Sequence, residues 1–116
     1  MALALSMLAI VMPGGDDPCQ TTDCHRRVAH RLTVRRWWSV VRPYRGWLAK
    51  VRWCESTNRY NINTGNGFYG AYQFTLPSWR AVGGRGLPHL AIPLEQDYRA
   101  VRLLRLQGRG AWPVCG

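Results

Sequence analysis

The residues with the strongest chemical potential lie close together in the chain. Trp53-Cys54-Glu55-Ser56 sets one carboxylate beside a cysteine, and Asn63-Thr64-Gly65-Asn66-Gly67 then leads into Phe68-Tyr69-Gly70-Ala71-Tyr72-Gln73-Phe74. A carboxyl group flanked by Trp53, Cys54 and an aromatic segment is expected to be desolvated, which raises its pKa and keeps it protonated as a general acid. Amides at Asn63, Asn66 and Gln73 can bind hydroxyl and N-acetyl groups, and rings at Tyr69, Tyr72 and Trp79 can face sugars. These are the parts of a carbohydrate cleft, with Glu55 as its acid. The plainer reading, a solvated Glu at a helix end, suits any isolated Glu. It is the neighbours of Glu55 that argue against it.

The elements that must position these groups follow from periodicity and turn chemistry. Trp47, Leu48, Val51 and Cys54 recur at helical spacing, so 45–56 reads as an amphipathic helix with Glu55 near its C-terminal end. Asn63 to Gly67 holds residues that accept positive φ, and Asn-Gly is a tight-turn signal. Phe68 to Phe74 then reads as a short extended or hairpin segment, loosened by Gly70 and Ala71. Thr75 or Ser78 can cap a short helix through Trp79 that stops at Gly83-Gly84, and Arg85 to Ile92 is a loop. The last helix starts at Pro93, carries Glu95 and Asp97 in its first turns and Arg102 and Arg105 near its end, and stops at Gly108. Leu94, Tyr98, Val101 and Leu104 form its buried stripe. The expected fold class is α+β: a small, mostly helical domain with a short β or turn element.

At 116 residues the chain holds one small domain plus flanking sequence. Residues 44–116 are that domain. Residues 1–18 read either as a signal peptide or as an ordinary apolar N-terminus, since Met1 to Met12 is uncharged and too short to span a bilayer, yet lacks the usual leading Lys or Arg. Residues 19–43 are a basic Trp/Arg-rich arm or linker, with 16–30 read as a loop and 31–42 as a basic helix that lies on a surface or packs on the domain. The net charge of +10 is uneven: residues 25–53 carry eight Arg and Lys50 with no acid. Such a field attracts polyanions, whether nucleic acid, acidic lipid or wall polymer, and charge alone does not choose among them.

The four cysteines permit three complete pairings. Cys54 and Cys115 sit at the first helix and the last residues of the compact segment, so that pairing is preferred, which leaves Cys19 with Cys24. No Cys/His spacing suits zinc, so no metal is expected, and no cofactor either.

Taken together, Cys54-Glu55-Ser56, Ile62-Asn63-Thr64-Gly65-Asn66-Gly67-Phe68-Tyr69-Gly70, Gln73-Phe74, Trp79, Gly83-Gly84, Gln107-Gly108 and Ala111-Trp112-Pro113-Val114-Cys115 resemble the catalytic domain of the resuscitation-promoting factors. These are actinobacterial transglycosylase-like proteins with a reduced lysozyme-like fold. The resemblance implies secretion to the cell wall, peptidoglycan as substrate, Glu55 as catalytic acid and a Cys54–Cys115 bridge. It adds Ser78 and Gln107 as substrate-binding positions, which join Asn63, Thr64, Tyr69, Gln73 and Trp79 in the expected substrate site. Ser78 stands where the family has Thr, Ala71-Tyr72 replaces the commoner Gly-Leu, and Ser56-Thr57-Asn58 departs from Ser-Gly-Gly beside the acid.

Glycosidases generally flank the scissile bond with two carboxylates. Within the domain the only others are Glu95 and Asp97, both better explained by the helix dipole, so a single-acid mechanism is expected. Its outcome is lytic transglycosylation or hydrolysis of the bond between N-acetylmuramic acid and N-acetylglucosamine. A non-catalytic peptidoglycan-binding module is the first competing reading. The second is a membrane- or nucleic-acid-binding protein built on residues 25–53, and that stretch lacks a nucleic-acid fold. The expected partners are glycan strands, with anionic wall polymers or a membrane surface for the arm, and the expected state is a monomer.

Overall fold

The computed structural model of the protein describes residues 17–116. The stretch Met1 to Met12, read above as a signal peptide or apolar N-terminus, lies outside the described residues. The chain divides into two units, residues 1–33 and 34–116.

In the first unit Cys19 and Cys24 form a disulfide. Helix α1 (Thr22–Val41) begins here, inside a stretch that reads from sequence as a loop. The start is explained locally: Thr21 Oγ1 accepts the Cys24 N–H at 3.1 Å, and Asp23 in the first turn pairs with Arg27 at 2.7 Å. The Asp17 carboxylate lies 2.8 Å from His25 Nε2. That contact, followed by the Cys19 backbone N–H, holds the Asp17 carboxyl below its ordinary range. Asp17, Cys19 and His25 cluster as metal ligands would, but the Cys19 sulfur is already committed to the disulfide.

The second unit is small and mostly helical. After α1 come a 3-10 turn at Arg42–Tyr44, helix α2 (Arg45–Ser56), helix α3 (Leu76–Ala81), a 3-10 turn at Pro88–Leu90, helix α4 (Pro93–Gln107) and a last 3-10 turn at Arg109–Ala111. The predicted bounds of α2 and α4 hold. Leu48 and Val51, one turn apart on α2, are fully buried, and Gln96, Tyr98, Ala100, Val101 and Leu103 are the buried residues of α4. Leu94 and Leu104 pack only partly against that core. The end of α1 joins it too: Val41 is buried and Trp37 stacks on Tyr98 at 5.4 Å between ring centroids.

The β element is slighter than a hairpin. Two isolated antiparallel bridges, Asn63 with Tyr69 and Tyr69 with Phe74, are all that the described residues form there. Gly65, Gly67 and Gly70 adopt positive φ, which stops a ladder from extending. Gly70 has a second constraint, because a Cβ on it would lie 2.5 Å from Gln96 Oε1. That oxygen accepts the Ala71 N–H at 3.0 Å, while Gln96 Nε2 donates to Tyr60 O and Ala91 O. One fully buried glutamine therefore satisfies three backbone groups from separate segments.

Candidate active site

Glu55 occupies the last turn of α2, and the residue after it is the anchor. Ser56 is buried, its Oγ lies 2.8 Å from Ala71 O, and it accepts the Arg59 N–H at 3.0 Å. The end of the acid's helix is thereby tied to the aromatic segment. Thr57 caps α2 in the left-handed conformation, and Asn58 follows in the same region, with φ of 52° and 64°. The Ser-Thr-Asn departure thus falls where glycine is most at ease. Asn58 compensates by accepting Arg52 Nε at 2.7 Å.

The Glu55 side chain is half-buried and has no hydrogen bond or ion pair among the described residues. Desolvation pushes its carboxyl above the ordinary range. Trp53 is not the wall that the sequence suggests: it is 62% exposed, and residues two apart on a helix do not face each other. A carboxyl whose pKa is higher folded than unfolded stabilises the fold below the unfolded value and loses that contribution as pH rises through the folded one. Glu55→Gln, which keeps the shape and never ionises, is expected to melt at or slightly above the wild-type temperature at pH 7. The difference should vanish near pH 3, as thermal scans across that range would show.

The other two carboxylates of the second unit are occupied. Glu95 Oε2 accepts from Arg99 Nε at 3.2 Å. Asp97 is more than a first-turn acid: it accepts the Tyr60 hydroxyl at 2.7 Å and the Tyr72 hydroxyl, and it pairs with Arg52 at 3.4 Å. Burial, followed by Asp97, pushes both phenols above their ordinary range. Since Arg52 lies one turn before Glu55, this cluster fixes α2 to α4. Asp97→Ala would strand Arg52 and two phenols in a poorly solvated site. The expected cost is about 3 kcal/mol, the order measured when one partner of a buried pair is removed, read by denaturant unfolding.

The expected substrate residues divide into two groups. Asn63 and Thr64 are exposed, and Asn63 Oδ1 accepts the Gly65 N–H at 3.1 Å. Tyr69 is half-buried at the junction of both bridges and stacks on His89 at 5.6 Å. Gln73 is half-buried in a left-handed conformation and donates to Gly70 O at 3.0 Å. Ser78 is half-buried, and Thr75 Oγ1 accepts its N–H at 3.2 Å, so Thr75 is the cap of α3. Gln107 is exposed in the last turn of α4, ahead of Cys115, whose disulfide reaches Cys54.

Trp79 does not join them. It is fully buried, packs edge-on against Phe74 at 5.0 Å, and donates from Nε1 to Arg85 O at 3.2 Å. Any side chain on Gly84 would collide with its ring. A ring with no accessible face cannot stack on a sugar, so Trp79 is a core residue. The same holds for Tyr72. The ring that sequence reasoning passed over is His89, whose Nδ1 is buried without a hydrogen-bond partner among the described residues.

Residues 44–115 match the family described as the transglycosylase-like domain. The chain belongs to that family. The transglycosylase-like domain is similar to "Resuscitation-promoting factor Rpf" of Micrococcus luteus, 63% identical over 62 residues that make up 53% of this chain and 28% of that protein. It is similar to "Resuscitation-promoting factor RpfE" of Mycobacterium tuberculosis, 52% identical over 63 residues, 54% of this chain and 37% of that protein. With "Resuscitation-promoting factor RpfC" of the same species it shares 46% identity over 74 residues, 64% of this chain and 52% of that protein. The chain thus spans about half, or less, of the length of these relatives. The mostly helical domain closed by a Cys54–Cys115 disulfide is the fold that the resemblance implied.

Proposed function

We propose that residues 44–116 form a muralytic domain that cuts the β-1,4 bond between N-acetylmuramic acid and N-acetylglucosamine in peptidoglycan. Glu55 is its single general acid and base. The observation that carries this reading is the contrast among three carboxylates. Glu95 and Asp97 are held by cations and phenols, while Glu55 is unpaired among the described residues and has a raised pKa. Family membership supplies the reaction class, and the names of the relatives point to the same proteins as the sequence resemblance.

Protonated Glu55 gives its proton to the glycosidic oxygen as the bond to the muramyl anomeric carbon breaks. The carboxylate left behind then takes a proton from the incoming nucleophile. If that nucleophile is the muramyl 6-hydroxyl, the product is a 1,6-anhydro sugar; if it is water, the product is a reducing end. Asn63, Thr64, Tyr69, Gln73, Ser78 and Gln107 are proposed to bind the glycan. The two disulfides fit work in an oxidising compartment outside the cytosol. No helix among the described residues is long and apolar enough to cross a membrane. The proposal is tested by mass spectrometry of muropeptides released from purified sacculi. Anhydro and reducing products differ by one water, and sacculi that are bound but never cut would instead indicate a glycan-binding module.

A further inference from the structure

Arg35, Trp38, Arg42 and Arg45 line an open groove of about 340 Å³ in the second unit. They come from the end of α1, the turn after it and the first residue of α2. All four are exposed, Trp38 by 43%. None makes an ion pair or a side-chain hydrogen bond among the described residues, whereas Arg52 and Arg99 each meet a carboxylate. Three guanidinium groups therefore share a groove in which the described residues supply no counter-charge. The segment between them is well supported, since Trp37 stacks on Tyr98 and Val41 is in the core. Glu55 and the proposed glycan-binding residues are not among the lining.

We propose that this groove binds the phosphodiester backbone of a linear wall polyanion and holds the domain on the glycan it cuts. The wall setting rests on the muralytic reading; the groove's chemistry does not. A guanidinium fork matches two phosphate oxygens at once, and three forks in one groove suit a repeating anion. The exposed face of Trp38 offers an apolar surface to the polyol or sugar between phosphates. A bilayer fits less well, because arginines at 26, 27, 31, 35 and 36 surround α1 and leave no continuous apolar stripe to sink into lipid. Single-stranded nucleic acid fits less well too, because such sites present a series of stacking rings and this groove has one.

The test is calorimetric titration with poly(glycerol phosphate), beside single-stranded DNA and phosphatidylglycerol vesicles. With three phosphate contacts and the slope seen for single strands, wild-type affinity should fall about 20-fold between 50 and 200 mM salt. The triple variant Arg35→Gln, Arg42→Gln, Arg45→Gln should bind about tenfold or more weakly at 50 mM, with a flatter salt dependence. A variant of equal charge, Arg80→Gln, Arg102→Gln, Arg109→Gln, should stay within about threefold of wild type. Both should melt near the wild-type temperature and cut phosphate-free glycan at the wild-type rate. Equal loss in both variants, no wild-type binding, tighter binding of DNA or vesicles, or slower cutting by the groove variant would each overturn the assignment. Because binding is read without cleavage, a wild type that binds the polymer but cuts nothing would overturn the muralytic reading and leave the groove supported.

Discussion

Glu55→Gln should lower the rate of wall cleavage by about 10²- to 10⁴-fold, the range associated with a positioned general acid, with far-UV circular dichroism unchanged. The amide keeps the volume and polarity of the side chain but cannot deliver a proton to the leaving oxygen. Neither of the domain's other two carboxylates is free to take over. Glu95 is held by Arg99 at 3.2 Å, and Asp97 is engaged by Tyr60, Tyr72 and Arg52. The pH profile should carry the same signature. Desolvation raises the Glu55 pKa, so the protonated, active form persists to higher pH than for an exposed Glu. The falling limb of kcat/KM should track that raised value and be absent from the residual activity of the variant.

The second large effect concerns the Cys54–Cys115 bridge. These residues are 61 apart in sequence, so the bridge closes most of the domain into a loop. In the chain-entropy account a loop of that size stabilises by about 4 kcal/mol, a large share of what a domain this small can have. Replacing both cysteines with serine should therefore shift the denaturant midpoint sharply downward. Because Cys54 immediately precedes Glu55, activity should fall at temperatures where most of the variant is still folded, as the last turn of α2 loosens. The Cys19–Cys24 bridge closes a loop of only 5 residues in the first unit. Its removal should leave the domain's midpoint close to wild type.

Much of this was readable from local chemistry. The bounds of α2 and α4 follow from apolar spacing, from Pro93 and from Gly108, all of which act within a turn or two. Glu55 stood out because no other acid of the domain keeps such company. What was missed depends on residues far apart in the chain. Asp97 reads as a dipole partner until Arg52, Tyr60 and Tyr72 converge on it from other segments. Gln96 gives no signal at all, yet it is fully buried and carries three backbone hydrogen bonds. Trp79 shows the opposite failure, since a ring can line a cleft or fill a core and only packing decides. The start of α1 at Thr22 was masked by the cysteines around it, although Thr21 and Asp23 are ordinary start signals.

The most direct measurement is mass spectrometry of soluble muropeptides from purified sacculi, digested in parallel by wild type and Glu55→Gln at equal folded concentration. Wild type should release fragments cut between N-acetylmuramic acid and N-acetylglucosamine, and the variant, still bound to the sacculi, should release almost none. Fragments released at comparable rates by both proteins would contradict the assignment of Glu55 as the catalytic acid.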